Sequence, residues 1–134
     1  MHLRGVHHVA LAVSDLDEAV ALYKRLFDAE IELEGRMEEQ GVNAVYLRVG
    51  DGCRVELVSP LGPDTPVGRF LARRGPGMHH VAFEVDDVDD AVVELARRGA
   101  TVIEGGPRPG MGGKRVAFVH PDSLDGVLAE VVGA

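Results

Sequence analysis

The sequence has few aromatic residues and almost no cysteine: it contains no tryptophan, 4% aromatic residues and a single cysteine, Cys53. One cysteine cannot form an internal disulfide, which favours a reducing compartment. Acidic residues outnumber basic ones by 22 to 14, giving a formal net charge of −8. This balance argues against nucleic acid as a partner, because phosphate binding needs a basic face.

Long apolar runs are also lacking. No stretch approaches the ~18 consecutive apolar residues that a membrane-spanning helix needs, and the N-terminus shows no apolar signal-peptide core. We therefore expect a cytoplasmic protein with no membrane partner. Hydrophobic residues still make up 46% of the 134 residues, which is enough to form an ordinary core within one compact domain, residues 1–134.

The most informative feature that the sequence does contain is an internal repeat. Residues 5–10 (GVHHVA) return as residues 77–82 (GMHHVA), with an offset of 72 residues (80 − 8). The match continues through Asp15 with Asp87 and Arg25 with Arg97. A histidine at the same place in each copy predicts a site built across a pseudo-twofold axis.

Each copy is predicted to contain one strand, one helix and three further strands. In the first copy, residues 5–60, we expect strands near 6–13, 30–37, 42–49 and 53–58, and a helix from an N-cap at Ser14 to about Phe27. A connector, residues 61–76, contains a short helix capped by Thr65 and ending near Arg74. In the second copy, residues 77–134, we expect a helix over about 88–98, strands near 78–85, 101–104, 114–119 and 126–132, and a glycine-rich loop over 105–113.

This pattern predicts an α+β fold in which two tandem βαβββ modules form an eight-stranded half-barrel with helices outside. Side chains alternate between the two faces of a strand, so His8 and His80 should both point into the concave face. His7 and His79 fall on the helix side, where packing or hydrogen bonding is the expected role.

The last strand of each copy adds a carboxylate between apolar neighbours, Glu56 in the first and Glu130 in the second. Burying an isolated carboxylate costs several kcal/mol, which a divalent cation would offset. We therefore predict a metal site made by His8, Glu56, His80 and Glu130. Two imidazoles and two carboxylates suit Co²⁺, Mn²⁺, Ni²⁺, Zn²⁺ or Fe²⁺ and leave positions for water or substrate.

Several segments resemble the vicinal-oxygen-chelate superfamily, which includes glyoxalase I and the extradiol dioxygenases, and within it the methylmalonyl-CoA epimerases. The resemblance covers nearly the whole chain. The segments that carry it are VHHVA at 6–10, EQGV at 39–42, VEL at 55–57, SPL at 59–61, GMHHVA at 77–82, GGK at 112–114, FVHP at 118–121 and GVLAE at 126–130.

The resemblance implies a metal-dependent isomerase that inverts C2 of methylmalonyl-CoA through an enolate, with Co²⁺ as the favoured ion and a homodimer as the assembly. It implies the same four metal positions and a proton-transfer role for Glu130. The family's second proton-transfer carboxylate is absent, because Ala44 stands at that position. Gln40 is the candidate in its place, on the argument that it shares strand parity with Ala44, and Glu84 is a weaker candidate.

The coenzyme A phosphates would need cationic partners. Two basic groups are candidates, one near the connector helix and one near the second loop; they consist of Arg69, Arg73 and Arg74, and of Arg108, Lys114 and Arg115.

Three other functions stay open at this point. A glyoxalase-I-like lactoylglutathione lyase would use closely related metal and proton-transfer chemistry. A ring-cleaving Fe²⁺ dioxygenase would use two histidines and one carboxylate, and the additional Glu56 speaks against it. A non-catalytic protein of the same superfamily would bind a small molecule without turnover.

Overall fold

The computed structural model describes residues 1–134 and has an α+β composition, with eight strands, three α-helices and three 3₁₀ turns. The strands are β1 (Leu3–Ala12), β2 (Glu30–Met37), β3 (Val42–Arg48), β4 (Arg54–Pro60), β5 (Gly77–Val85), β6 (Arg108–Pro109), β7 (Arg115–Val119) and β8 (Ala129–Gly133). The helices are α1 (Leu16–Phe27), α2 (Pro66–Arg74) and α3 (Val88–Arg97), and the 3₁₀ turns are Glu38–Gln40, Met111–Gly113 and Pro121–Leu124.

The chain divides into two compact units, one of residues 8–79 and one of residues 1–7 with 80–134. In the first unit the strands are ordered β2-β3-β4-β1, with β1 parallel to β4 and the other pairs antiparallel. Helix α1 covers one face of these strands. The buried core between them consists of Val20, Ala29, Val45, Leu47 and Leu57.

Helix α1 begins one residue later than the expected Ser14 cap. Its N-cap is Asp15, whose side chain accepts a hydrogen bond from the Glu18 backbone N–H at 3.0 Å. A carboxylate at this position satisfies a free helix N–H and complements the positive end of the helix dipole, so Asp15 is a suitable cap. The predicted end at Phe27 is confirmed.

In the second unit the strands are ordered β5-β8-β7-β6, with β5 parallel to β8. Helix α3 starts at the expected aspartate cap, since the Asp87 side chain accepts from the Asp90 N–H at 3.0 Å. The buried core under this helix consists of Val85, Val88, Ala91, Ala117 and Val131.

The prediction of a strand at 101–104 is wrong. Only an isolated bridge joins Val102 to Val119, and the chain then turns away through Gly105 and Gly106, both at positive φ. The remaining strand of this unit is β6, a two-residue segment inside the predicted loop, where Arg108 pairs with Val116. The sequence does not predict so short a strand, because the surrounding glycine- and proline-rich segment shows no alternation of polar and apolar residues.

The connector helix α2 forms as expected, with Thr65 as N-cap and Pro66 at its first position. The Thr65 hydroxyl donates to the Gly62 carbonyl and accepts from the Gly68 N–H, at 2.7 and 3.0 Å. The segment before the helix is also hydrogen-bonded to the start of β3, because the Leu61 N–H donates to the Gly41 carbonyl at 2.8 Å.

Strand β2 contains a bulge between Ile31 and Leu33, where its register against β3 shifts. Glu32 lies at this shift and accepts hydrogen bonds from Arg48 on β3 and Arg54 on β4. The arginine hydrogen bonds, that from Arg54 foremost, hold the pKa of the Glu32 carboxyl below its usual range. One carboxylate therefore ties three strands together.

None of the three α-helices has both the length and the apolar character needed to cross a membrane.

Candidate metal centre

In the first unit, a histidine and a glutamate meet on neighbouring parallel strands. His8 on β1 and Glu56 on β4 are both buried, and His8 Nε2 lies 3.4 Å from Glu56 Oε1. The strand register explains this contact, since Ala10 pairs with Glu56 and His8 lies two residues away on the same face. Tyr46 on β3 pairs with Glu56 from the other side, and its ring centroid is 5.1 Å from that of His8.

The second unit repeats this arrangement. His80 on β5 and Glu130 on β8 are buried, with His80 Nε2 at 3.9 Å from Glu130 Oε2. Ala82 pairs with Glu130 in the register, as Ala10 does with Glu56. Phe118 on β7 is the cross-strand neighbour of Glu130, and its ring meets the His80 ring edge-on at 5.6 Å.

The alternation argument for the histidine face is confirmed in the first unit. His8, Ala10 and Ala12 are all fully buried, and they alternate with Leu11 and Val13, which pack into the core with α1. The two sides of β1 therefore have different environments.

The four predicted ligands form two buried pairs, His8 with Glu56 in the first unit and His80 with Glu130 in the second. His8, His80 and Glu130 are of the residue types that could hold a metal ion. Imidazole nitrogens and carboxylate oxygens on buried side chains suit a borderline divalent cation.

The structure gives His79, the histidine beside His80, a packing contact. Its ring meets Phe70 of α2 edge-on, with centroids 5.0 Å apart. Burial lowers the pKa of the His79 imidazole. Both observations agree with the packing role expected for this histidine.

The argument that placed Gln40 on the same face as Ala44 does not hold. Gln40 ends the 3₁₀ turn Glu38–Gln40, and Gly41 in the left-handed region separates it from β3, so strand alternation does not extend to it. Ala44 is buried within β3 opposite Val58. Glu84, the weaker candidate, pairs with Val132 at the far end of β5 and is partly buried.

Most of the candidate basic residues have partners within the chain. Two Arg115 nitrogens, Nε and Nη2, donate to Asp89. Arg69 donates to the Asp64 carbonyl, and Arg74 stacks over Phe70. Lys114 and Arg108 donate to the backbone carbonyls of Gly133 and Glu104.

Tyr46 and Phe118 are site residues that the sequence argument missed. The signal was available, because Phe118 follows Tyr46 by the repeat offset (118 − 46 = 72). A large aromatic residue in a strand usually reports packing, so neither residue stands out as a site residue from the sequence.

The family model described as the Glyoxalase/Bleomycin resistance protein/Dioxygenase superfamily matches residues 7–118. The chain belongs to this superfamily.

Several proteins similar to this chain are epimerases. Mitochondrial methylmalonyl-CoA epimerase from Bos taurus is 38% identical over 131 residues, which is 97% of this chain and 74% of the relative. Ethylmalonyl-CoA/methylmalonyl-CoA epimerase from Cereibacter sphaeroides is 35% identical and covers 94% of this chain and 95% of its own length. A variant of Streptomyces coelicolor methylmalonyl-CoA epimerase, solved with 2-nitronate-propionyl-CoA, superposes with a TM-score of 0.95 at 34% identity and covers 99% of both chains. The fold class expected from the repeat is therefore confirmed.

Proposed function

We propose that this protein is a metal-dependent methylmalonyl-CoA epimerase, which interconverts the two configurations at C2 of its substrate. The observation that carries the proposal is the match to epimerases over nearly the whole chain, and it is supported by a buried histidine–glutamate pair in each unit. We also propose that residues 1–134 act as a single domain.

The carbon to be inverted lies between a thioester and a carboxylate, so its proton is acidic compared with an ordinary C–H bond. His8, His80 and Glu130, with Glu56 as a fourth ligand, would hold the divalent cation; Co²⁺ is our first choice, with Mn²⁺, Ni²⁺ and Zn²⁺ as alternatives. When bound, such a cation stabilises negative charge on an adjacent substrate oxygen by acting as a Lewis acid.

Proton transfer is assigned to the protein's own side chains. Glu130 accepts the α-proton from one side of the substrate as the C–H bond breaks, and a second donor returns a proton to the opposite side. We place Gln40, holding a water molecule, on that second side. The partly buried position of Gln40 in its 3₁₀ turn is compatible with holding a water.

A chiral assay tests the function. Metal-free protein is incubated with one epimer of methylmalonyl-CoA, and the appearance of the other is followed before and after addition of Co²⁺ or Mn²⁺. We expect inversion only with metal. Turnover of a methylglyoxal–thiol hemithioacetal without inversion would instead indicate a lactoylglutathione lyase, and binding without turnover would indicate a non-catalytic protein.

The role of Glu130 predicts a loss of solvent exchange. In deuterated water, Glu130→Gln with confirmed metal content should incorporate α-deuterium about 100-fold more slowly than the wild type, because the base is gone. Mass spectrometry of the substrate measures this rate. Glu30→Gln, at the exposed start of β2, is the matched control and should exchange at the wild-type rate. Undiminished exchange in Glu130→Gln would exclude it as the base.

We further propose a cytoplasmic homodimer. The single cysteine supports a reducing compartment, and the family resemblance supports the dimer. Sedimentation equilibrium at several protein concentrations tests the assembly, since a monomer would give 14.3 kDa.

A further inference from the structure

The aromatic residues beside the two glutamates, Tyr46 and Phe118, differ by one hydroxyl group. In each half, a glutamate on the last strand faces an aromatic residue on the preceding strand in the same register, Glu56 with Tyr46 and Glu130 with Phe118. Each aromatic ring also contacts the histidine of its own half, at 5.1 and 5.6 Å between centroids. The phenol of Tyr46 therefore has no counterpart at position 118.

Tyr46 is placed to act on the first pair of ligands. It is 5% exposed, and the same face of its half carries the buried side chains of His8 and Glu56. Its ring lies tilted by 44° against the His8 imidazole. A buried tyrosine hydroxyl almost always makes a hydrogen bond, and a carboxylate is its strongest available class of acceptor.

We propose that Tyr46 is a positioning residue for the metal centre, an inference that rests on the proposed function. Its hydroxyl donates to the Glu56 carboxylate and its ring restrains the His8 imidazole, so that both are held in orientations that can bind a cation. Phe118, at the equivalent position of the second unit, carries no hydroxyl.

The physical basis is the general dependence of metal sites on the groups that orient their ligands. Loss of such a hydrogen bond typically weakens metal affinity about 10- to 100-fold, because the ligand must then be ordered by the metal itself. The aromatic ring alone cannot provide this hydrogen bond to the carboxylate. Phe118 shows that the fold accommodates a phenyl group at the equivalent position.

The test measures metal binding by the intact 134-residue chain and does not use catalysis. Metal-free wild type and Tyr46→Phe are titrated with Co²⁺ by calorimetry, and the visible absorption of the Co²⁺ forms is recorded. We expect the dissociation constant of Tyr46→Phe to rise about 10- to 100-fold and its absorption bands to shift. Urea unfolding of the metal-free forms should show that Tyr46→Phe is folded.

Two controls separate positioning from packing. Tyr23 is the other tyrosine of the chain and packs beside the α1 core against Phe27, so Tyr23→Phe should bind Co²⁺ as the wild type does. In a Glu56→Ala background, adding Tyr46→Phe should weaken binding little further, because the acceptor is already lost.

The outcomes are distinct. Wild-type affinity and spectrum in Tyr46→Phe would overturn the inference alone and leave the epimerase assay to judge the function. A full effect of Tyr46→Phe on top of Glu56→Ala would show that Tyr46 does not act through Glu56. A wild-type protein that binds no divalent cation would overturn both the inference and the metal centre.

Discussion

Gly41 is a residue at which two independent constraints act. Its φ of +70° lies in the left-handed region, and a Cβ built there would lie 2.7 Å from Thr65 Cγ2. We predict that Gly41→Ala lowers the free energy of unfolding by about 2–4 kcal/mol, from backbone strain plus overpacking. Gly50 has φ +71° with open space around it, so Gly50→Ala should cost only about 1–2 kcal/mol. Urea titrations of both variants measure the difference in the free energy of unfolding. Equal losses in the two variants would show that the contact with Thr65 contributes nothing.

At the same scale, the sequence predicted much of the candidate site. The repeat identified His8 and His80, and the carboxylates between apolar neighbours identified Glu56 and Glu130. It did not give the distances within the two pairs, 3.4 Å between His8 and Glu56 and 3.9 Å between His80 and Glu130, because these depend on side-chain conformations that strand parity cannot specify. The strand-parity argument for Gln40 does not hold for a related reason, since a 3₁₀ turn interrupts the alternation before β3 begins.

At the scale of secondary-structure elements, the hydrogen bonds of Glu32 with two arginines join strand β2 to strands β3 and β4. Its lowered pKa means that it stabilises the fold at pH values above the unfolded carboxyl pKa, and that this stability is lost as the pH falls through the folded pKa. We predict that Glu32→Gln costs at most about 1 kcal/mol at neutral pH, because the group is open to solvent.

The difference between wild type and Glu32→Gln should shrink as the pH is lowered, and urea unfolding at several pH values measures it. Glu34→Gln on the same strand is the control. A difference that grows in acid would contradict the assigned sign.

Elements with a strong periodic pattern were predicted well. Helices α1, α2 and α3 carry apolar stripes and caps, and their bounds agree with expectation to within one or two residues. Strand β6 was missed because Arg108 and Pro109 are held by the partner strand β7 rather than by any local preference. The displaced cap at Asp15 reflects two adjacent residues that are both good caps.

For the whole molecule, a bound cation should appear as added stability. With Co²⁺ at about 100 times its dissociation constant, we predict that the free energy of unfolding rises by about 2.7 kcal/mol, since the ion binds only the folded chain. Thermal or urea unfolding with and without chelator measures this. His8→Ala should abolish the increment, whereas His120→Ala, at an exposed turn, should retain it. An unchanged increment in His8→Ala would remove His8 from the site.

The two-residue strand β6 affects how the protein behaves at high concentration. It is the last strand in the order of its half, and Pro109 has no N–H to offer a neighbouring chain. A strand this short offers almost no backbone groups with which another chain could pair. Fibre growth from this edge of the sheet is therefore disfavoured. Replacing Pro109 by valine would restore a donor there, and turbidity on prolonged storage would reveal the change.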